Sequence, residues 1–183
     1  MLKVIPFMKE RRKGVIINIA SRAGTIDYIG STSYAVSKCA VIRATGCFQL
    51  ELNSQGFGDD IQIYALHPGG VLTDMPKSMS PCNPPNVLDA IPDDVAAKYP
   101  EKVKMRDDWL PKFVTSRFLC GATCVYIASG KAKVLKGRYF DCEQDIGQVV
   151  AGGQEVQDDD LYTLRVKFLG GLPNDGGIAK DPR

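Results

Sequence analysis

Two apolar runs set far apart, with a long helical stretch between them, constrain this chain more than any other feature. Val15-Ile16-Ile17-Asn18-Ile19-Ala20 and Ile61-Gln62-Ile63-Tyr64-Ala65-Leu66-His67 both read as buried strands. The stretch from about Ser33 to Asn53 reads as one helix, ended by the Gly56-Phe57-Gly58 break. A second helix is predicted from about Pro111 to Ala128 and a third strand from about Gly137 to Cys142. Strand–helix–strand order at this spacing implies a parallel sheet with right-handed crossovers, so the expected class is α/β.

Candidate chemistry gathers around the first strand and the helix that follows. Tyr34 and Lys38 are four residues apart, so a helix places both on one face. Ser21 stands where the first strand ends, thirteen residues before Tyr34. A strand-end hydroxyl, a phenol and an ammonium make a triad suited to moving a proton to or from a carbinol oxygen. A free phenol ionises near pH 10, too high for easy use at neutrality, and a nearby ammonium favours the phenolate. Ser31 and Ser33 are rival hydroxyls, but they lie too close in sequence to Tyr34 to oppose it from a strand. Taken alone, Tyr-x-x-x-Lys is a cheap match in a chain with seven tyrosines; the strand ending at Ser21 and the Pro68-Gly69-Gly70 turn after the second strand give it weight.

That constellation resembles the short-chain dehydrogenase/reductase family. The residues that carry the resemblance are Asn18-Ile19-Ala20-Ser21, the Tyr34/Lys38 pair, and Pro68-Gly69 with Val71 and Thr73, within a stretch from about Gly14 to Asp141. The tail beyond resembles a subset of fungal members. The resemblance implies a partial Rossmann-like, doubly wound parallel sheet, the second half of the family's domain, over residues 1–150, with a separate tail at 151–183. It implies an NAD(P)-dependent oxidoreductase interconverting a ketone and an alcohol, of the kind used in secondary metabolism, with hydride from the nicotinamide and the proton through Tyr34. In that scheme Lys38 also holds the nicotinamide ribose, and Ser21 binds the substrate oxygen. Pro68, Gly69 and the Val71 backbone line the nicotinamide, and Thr73 reaches the pyrophosphate. Asp27 and Tyr28 fall where the family lines its substrate pocket. The proline-rich segment 75–104 resembles the variable substrate lid, and its length suggests a sizeable, partly apolar substrate.

The pattern also departs from the family. The glycine-rich turn for the pyrophosphate, the residue that selects NAD or NADP, the Asn-Ala-Gly segment and the helix asparagine of the catalytic set do not occur in this sequence. A second function therefore stands beside the first: a non-catalytic remnant or dimerising module that lacks the phosphate-binding half. For the 183-residue chain alone, the expectation is an apolar strand edge at Ile16-Ile17, self-association, and weak or no binding of NAD(H) and NADP(H). In a complete enzyme the resemblance implies a homodimer or homotetramer, with Ile42, Phe48 and Leu52, flanked by Val41 and Ala44, as candidate contacts on the long helix.

Composition excludes other classes. Hydrophobic residues make up 44% and charged residues 24%, and the net charge of +2 gives no reason to expect nucleic acid or a membrane surface as partner. No apolar run is long enough to span a bilayer, and the N-terminus has no apolar core of a secretion signal; Leu2, Ile5 and Phe7-Met8 suit the end of an amphipathic helix. The expected place is the cytoplasm, with reduced thiols. The six cysteines show no paired C-x-x-C spacing, and Cys120 and Cys124 read as core filler rather than a metal site. His67, the only histidine, adjoins the Pro-Gly-Gly turn but is not expected to be the base. In the tail, Leu161 to Leu169 partly alternates, which suits a short strand, a docking arm or a partly ordered terminus.

Overall fold

A computed structural model describes residues 3–27, 31–73 and 93–166. Its elements in chain order are helix α1 (Ile5–Arg11), strand β1 (Gly14–Ile19), helix α2 (Thr32–Ser54), strand β2 (Ile61–His67), helices α3 (Asp93–Lys98), α4 (Pro100–Trp109) and α5 (Arg117–Ala128), strand β3 (Tyr139–Asp141), and helices α6 (Ile146–Ala151) and α7 (Gly153–Asp158). Short 3-10 turns at Arg22–Gly24, Leu110–Lys112 and Lys133–Leu135 join some of them. The sheet is parallel, in the order β1-β2-β3.

β2 is the centre of the molecule, and its alternation sorts the core into two layers. Tyr64 and Leu66 face Ile127 of α5, Leu135, Phe140 and Val156 of α7. Ile61 and Ile63 face Leu52 of α2, and Ala65 meets Ile42 and Ala20. Helices thus cover both faces, as a parallel strand without a polar side requires. β1 repeats the alternation, with Val15 and Ile17 toward the first layer and Ile16 toward α2. It is only half-buried, and among the described residues it pairs on one side only, with β2.

The helix boundaries follow local chemistry. α1 has a proline in its first turn and stops at Arg12 in the left-handed region. α2 runs 23 residues without proline, and Gly56 beyond it has φ +76. Ser116 accepts from Phe118 N to start α5, and Asp145 accepts from Gly147 N and Gln148 N to start α6.

One contact completes the sheet where β3 falls short. β3 pairs with β2 only from Ala65 onward. Before that point Gln49 of α2 stands in: its Oε1 accepts from Ile63 N at 2.8 Å and its Nε2 donates to Ile61 O at 3.3 Å. Ile63 O is reached by Gly137 N at 2.7 Å, and Gly137, with φ +77, would place a Cβ about 3.0 Å from Gln49 Cβ.

The sequence expectations hold for the three strands and for α2 within a residue or two. Two differ. Residues 93–104 are helical rather than irregular, because α3 and α4 begin there; the rest of the proline-rich segment lies outside the described residues. The second long helix begins at Arg117 rather than Pro111, after the 3-10 turn and the Ser116 cap. Of the three readings of the tail, docking holds as far as Leu164: Tyr139 N bonds Tyr162 O at 2.9 Å, the Tyr162 ring lies 6.3 Å from Phe140, and Arg43 Nη2 donates to Leu164 O at 2.7 Å. Among the described residues no helix is long and apolar enough to cross a membrane.

Replacing Gln49 by leucine keeps the volume but strands a buried donor and acceptor of β2. Such groups cost about 1–3 kcal/mol each, so Gln49→Leu should lower unfolding stability by about 2 kcal/mol or more, read as a lower urea midpoint at unchanged slope.

Candidate active site

The carboxyl ends of the three strands converge on one edge of the sheet, where open α/β sheets bind ligands. Ser21 stands just past the end of β1, buried, with its hydroxyl accepting from Ala23 N at 3.2 Å. It thereby caps the 3-10 turn Arg22–Gly24. That turn lies against α2 so closely that a Cβ on Gly24 would sit 2.7 Å from backbone atoms of Lys38 and Cys39. Only glycine allows the approach.

Tyr34 and Lys38 both lie in the first turns of α2, each half-buried. Lys38 Nζ donates to Ile19 O at 2.9 Å and stands 5.6 Å from the centre of the Tyr34 ring. The ammonium therefore ties the helix to the strand end that carries Ser21, and it covers the face of the phenol ring. Tyr64, the other tyrosine near this strand end, points into the core, where burial pushes its phenol up to about 12.

Pro68-Gly69-Gly70 forms the turn after β2. Gly69 has φ +82, and a Cβ there would lie 2.5 Å from Thr115 Cγ2, so the turn demands glycine twice over. Val71 N bonds back to Gly69 O at 3.1 Å. Val71 is half-buried and Thr73 exposed. Asp27 is exposed on the loop before α2; Tyr28 lies outside the described residues. The structure thus ties Lys38, which stands over the Tyr34 ring, to the end of the strand that leads into Ser21, and sets the Pro68–Gly70 turn at the neighbouring strand end.

Sequence reasoning missed a charged cluster beside them. Arg22 donates to Asp141 Oδ2 from Nε at 3.0 Å and from Nη2 at 2.6 Å, and to Glu143 Oε2 at 2.5 Å. Glu143 Oε1 accepts from Gly70 N at 3.1 Å and from the Thr115 hydroxyl. His67 Nδ1 accepts from Arg22 N at 3.3 Å. His67, Asp141 and Glu143 have potential ligand atoms within 4.8 Å of one another, but Arg22 already bridges the two carboxylates, so the group is an ion-pair cluster. The legible signal was an arginine directly after the strand-end serine and two acids at the end of the third strand. Bonds from Thr115, Gly70 and Arg22 hold the Glu143 carboxyl down at about 2. Burial, with the charge of Arg22, lowers His67 below its ordinary value, against the pull of Asp141 and Glu143. Two thiols near the core are inert by contrast: burial pushes Cys120 up to about 11 and Cys142 up to about 12, and Cys120 and Cys124 pack on the core as expected.

A parallel sheet wrapped on both faces, with polar side chains gathered at the carboxyl ends of its strands, is a Rossmann-like arrangement. Residues 1–83 match the family model described as short chain dehydrogenase. A short chain dehydrogenase of Pseudocercospora fijiensis is 28% identical over 91% of this chain and 51% of its own length. The short chain dehydrogenase mpl6 of Monascus purpureus is 25% identical over 91% of this chain and 46% of its own. A 3-oxoacyl-(acyl-carrier-protein) reductase of Staphylococcus epidermidis is 29% identical over 74% of this chain and 47% of its own. The crystal structure of a short-chain dehydrogenase from Streptomyces avermitilis shares the fold with a TM-score of 0.50 at 18% identity, over 86% of this chain and 52% of that one. The family model matches less than half of this chain, and these relatives are 25–29% identical to it: over the matched stretches the chain is similar to short-chain dehydrogenases, and it shares their fold. It spans about half the length of the curated relatives it matches.

His67 and Glu143 both favour neutral pH. His67 has a folded value below its unfolded 6.5, so stability is lost as pH falls through that range; Glu143 is depressed from 4.5 to about 2, so its share is present above 4.5 and lost on further acidification. The thermal midpoint should therefore fall in two stages on acidification. Glu143→Gln should flatten the second stage and, because the Glu143 charge raises His67, enlarge the first, as read by thermal melts across pH.

Proposed function

We propose that this chain carries the proton-transfer and nicotinamide-facing part of an NAD(P)-dependent oxidoreductase that interconverts a ketone and an alcohol. The observation that carries the reading is the bond from Lys38 Nζ to Ile19 O at 2.9 Å, which ties the Tyr34/Lys38 pair to the strand end holding Ser21. Tyr34 gives its proton to the carbonyl oxygen, Ser21 donates a hydrogen bond to that oxygen, and Lys38 supplies the positive charge beside the phenol. The bound nicotinamide supplies the hydride.

The residues present fit the nicotinamide end of such a cofactor. The Pro68–Gly70 turn leaves a flat, side-chain-poor backbone next to the strand end of Ser21, and the arginine after Ser21 is joined to His67 just before the turn. Pro68, Gly69, Val71 and Thr73 would face the cofactor, with Tyr34 and Lys38 toward its ribose. Among the described residues no glycine-rich turn leads from a strand directly into a helix, so nothing comparable is offered to the pyrophosphate. Asp27 and Tyr28 are the proposed substrate contacts.

Turnover of aliphatic and aromatic ketones with NADH and NADPH tests the reading. Tyr34→Phe should lower the rate by about 10²–10⁴-fold while thermal melts stay unchanged. A folded Tyr34→Phe protein with the parent rate would overturn the role given to Tyr34.

A second reading, a dimerising module without catalysis, is favoured by the outer face of α2. Ile42 and Leu52 are buried against the sheet and Phe48 is half-buried there, so these expected contact residues serve the core instead. The exposed stripe is Val36, Ala40, Arg43, Cys47 and Leu50, spaced four and three apart, with Val36 63% and Leu50 69% exposed. Such a stripe suits an isologous helix pair. Leu50→Lys should shift the mass seen by light scattering toward the monomer and leave secondary structure intact; an unchanged mass would exclude this face. A parent chain that dimerises yet turns over no ketone would favour the module over the enzyme.

A further inference from the structure

The three strand ends are not independent loops. Arg22, directly after Ser21, bonds both Asp141 and Glu143. Glu143 reaches the other way to Gly70 N at 3.1 Å and to the Thr115 hydroxyl. Gly70 N also points at Thr115 Oγ1 at 3.0 Å, and Gly70 O accepts from Thr115 N at 2.9 Å. Asp141 holds the Glu143 backbone: its Oδ1 accepts from Glu143 N at 3.0 Å. Cys142 N bonds His67 O at 3.1 Å, so the segment bearing Glu143 is registered on β2.

One carboxylate therefore holds the turn after Ser21 with one oxygen and the Pro68–Gly70 turn with the other. The two oxygens have separate duties: Oε2 pairs with the guanidinium, and Oε1 takes the amide and the hydroxyl. Charge-assisted bonds of this kind are shorter and stronger than neutral ones and fix geometry as well as energy. Gly69 cannot take a side chain, and Gly70 would place a Cβ 3.0 Å from Lys112 O, so the turn has little room to shift without breaking these bonds. Thr115 lies just before α5 and meets the turn at the same point.

We propose that Glu143 is a positioning residue that locks the Ser21 turn to the Pro68–Gly70 turn, so that one carboxylate, added to the Arg22 N–His67 Nδ1 bond and the β1–β2 ladder, holds the distance between the substrate-holding hydroxyl and the nicotinamide-facing backbone. The functional half of this statement rests on the reading given under Proposed function; the mechanical half does not. Asp141 holds Arg22 and the Glu143 amide, and Thr115 closes the far side. A misplacement of about 1 Å between reacting groups costs on the order of a hundredfold in rate, which is the reason to tie the two turns directly.

Hydrogen exchange on the full 183-residue chain, read amide by amide, separates the two halves. Two variants are read across the cluster, each at an amide whose own acceptor is untouched. Arg22→Gln removes the guanidinium and leaves both acceptors of Gly70 N in place; Glu143→Ala leaves the Ser21 hydroxyl that receives Ala23 N. The expected result is about tenfold faster exchange at Gly70 in Arg22→Gln and at Ala23 in Glu143→Ala, with Ile63, whose amide is held by Gln49, unchanged in both. Arg22→Lys should give an intermediate rate, since one ammonium can serve only one carboxylate well. Exchange at Gly70 and Ala23 that matches the parent, or that rises only in step with Ile63, overturns the locking. If locking is seen and the parent turns over ketones, Glu143→Ala should lower kcat at least about tenfold with the substrate KM little changed; an unchanged kcat would remove the functional half. If locking is seen and the parent shows no turnover, the proposed activity fails and the mechanical unit stands.

Discussion

The burial of β2 on both faces governs the rest of the molecule. A strand with no polar side must be covered twice, so α2 takes one face and α5, α7 and the Leu135 turn take the other. With both covers in place, the carboxyl ends of the strands stay open, and polar groups from distant parts of the chain meet there: Ser21 and Arg22 past β1, His67 and Gly70 at the end of β2, Asp141 and Glu143 at the end of β3. The site is a consequence of how the core closes.

The sequence was most legible where one element carries its own signal. The apolar runs of β1 and β2 and the uninterrupted α2 have patterns that local chemistry reproduces, and the Gly56 break marks the helix end. The Tyr34/Lys38 pair was legible because helical spacing alone puts both on one face. What sequence did not yield depends on pairing across long separations. Arg22 carries no signal of its own in the sequence; its role shows only once β3 brings Asp141 and Glu143 beside it. The apolar residues of α2 that seemed suited to a partner, Ile42 and Leu52, are claimed by β2, because a buried central strand draws the more hydrophobic face of its helix. Residues 93–104 read as loop from their prolines, yet Pro100 sits at the first position of a helix, where its missing N–H costs nothing.

Charge in this protein is used structurally more than as a field. The net charge is small, and the strongest pairs lie where backbone turns must be held: Arg22 with its two carboxylates, and Arg138 with Asp160 at 3.0 Å under the docked tail. Each pair has hydrogen-bonding partners besides its counter-ion, the condition under which partly buried charges are worth keeping.

Gln49 bears on how the sheet comes together. Strands usually recruit one another by their backbones alone, but the first half of the free side of β2 is capped by an amide from a helix. The neighbouring strand, only three residues long, pairs from Ala65 to His67 and arrives from much later in the chain. A short, distant strand is a poor nucleus, because its contacts repay little of the loop entropy spent to reach them. The helix contact is local by comparison and fills the gap first. Assembly is thereby biased to run from the β1–α2–β2 unit outward, with the last strand and its acidic end added onto an edge already half finished.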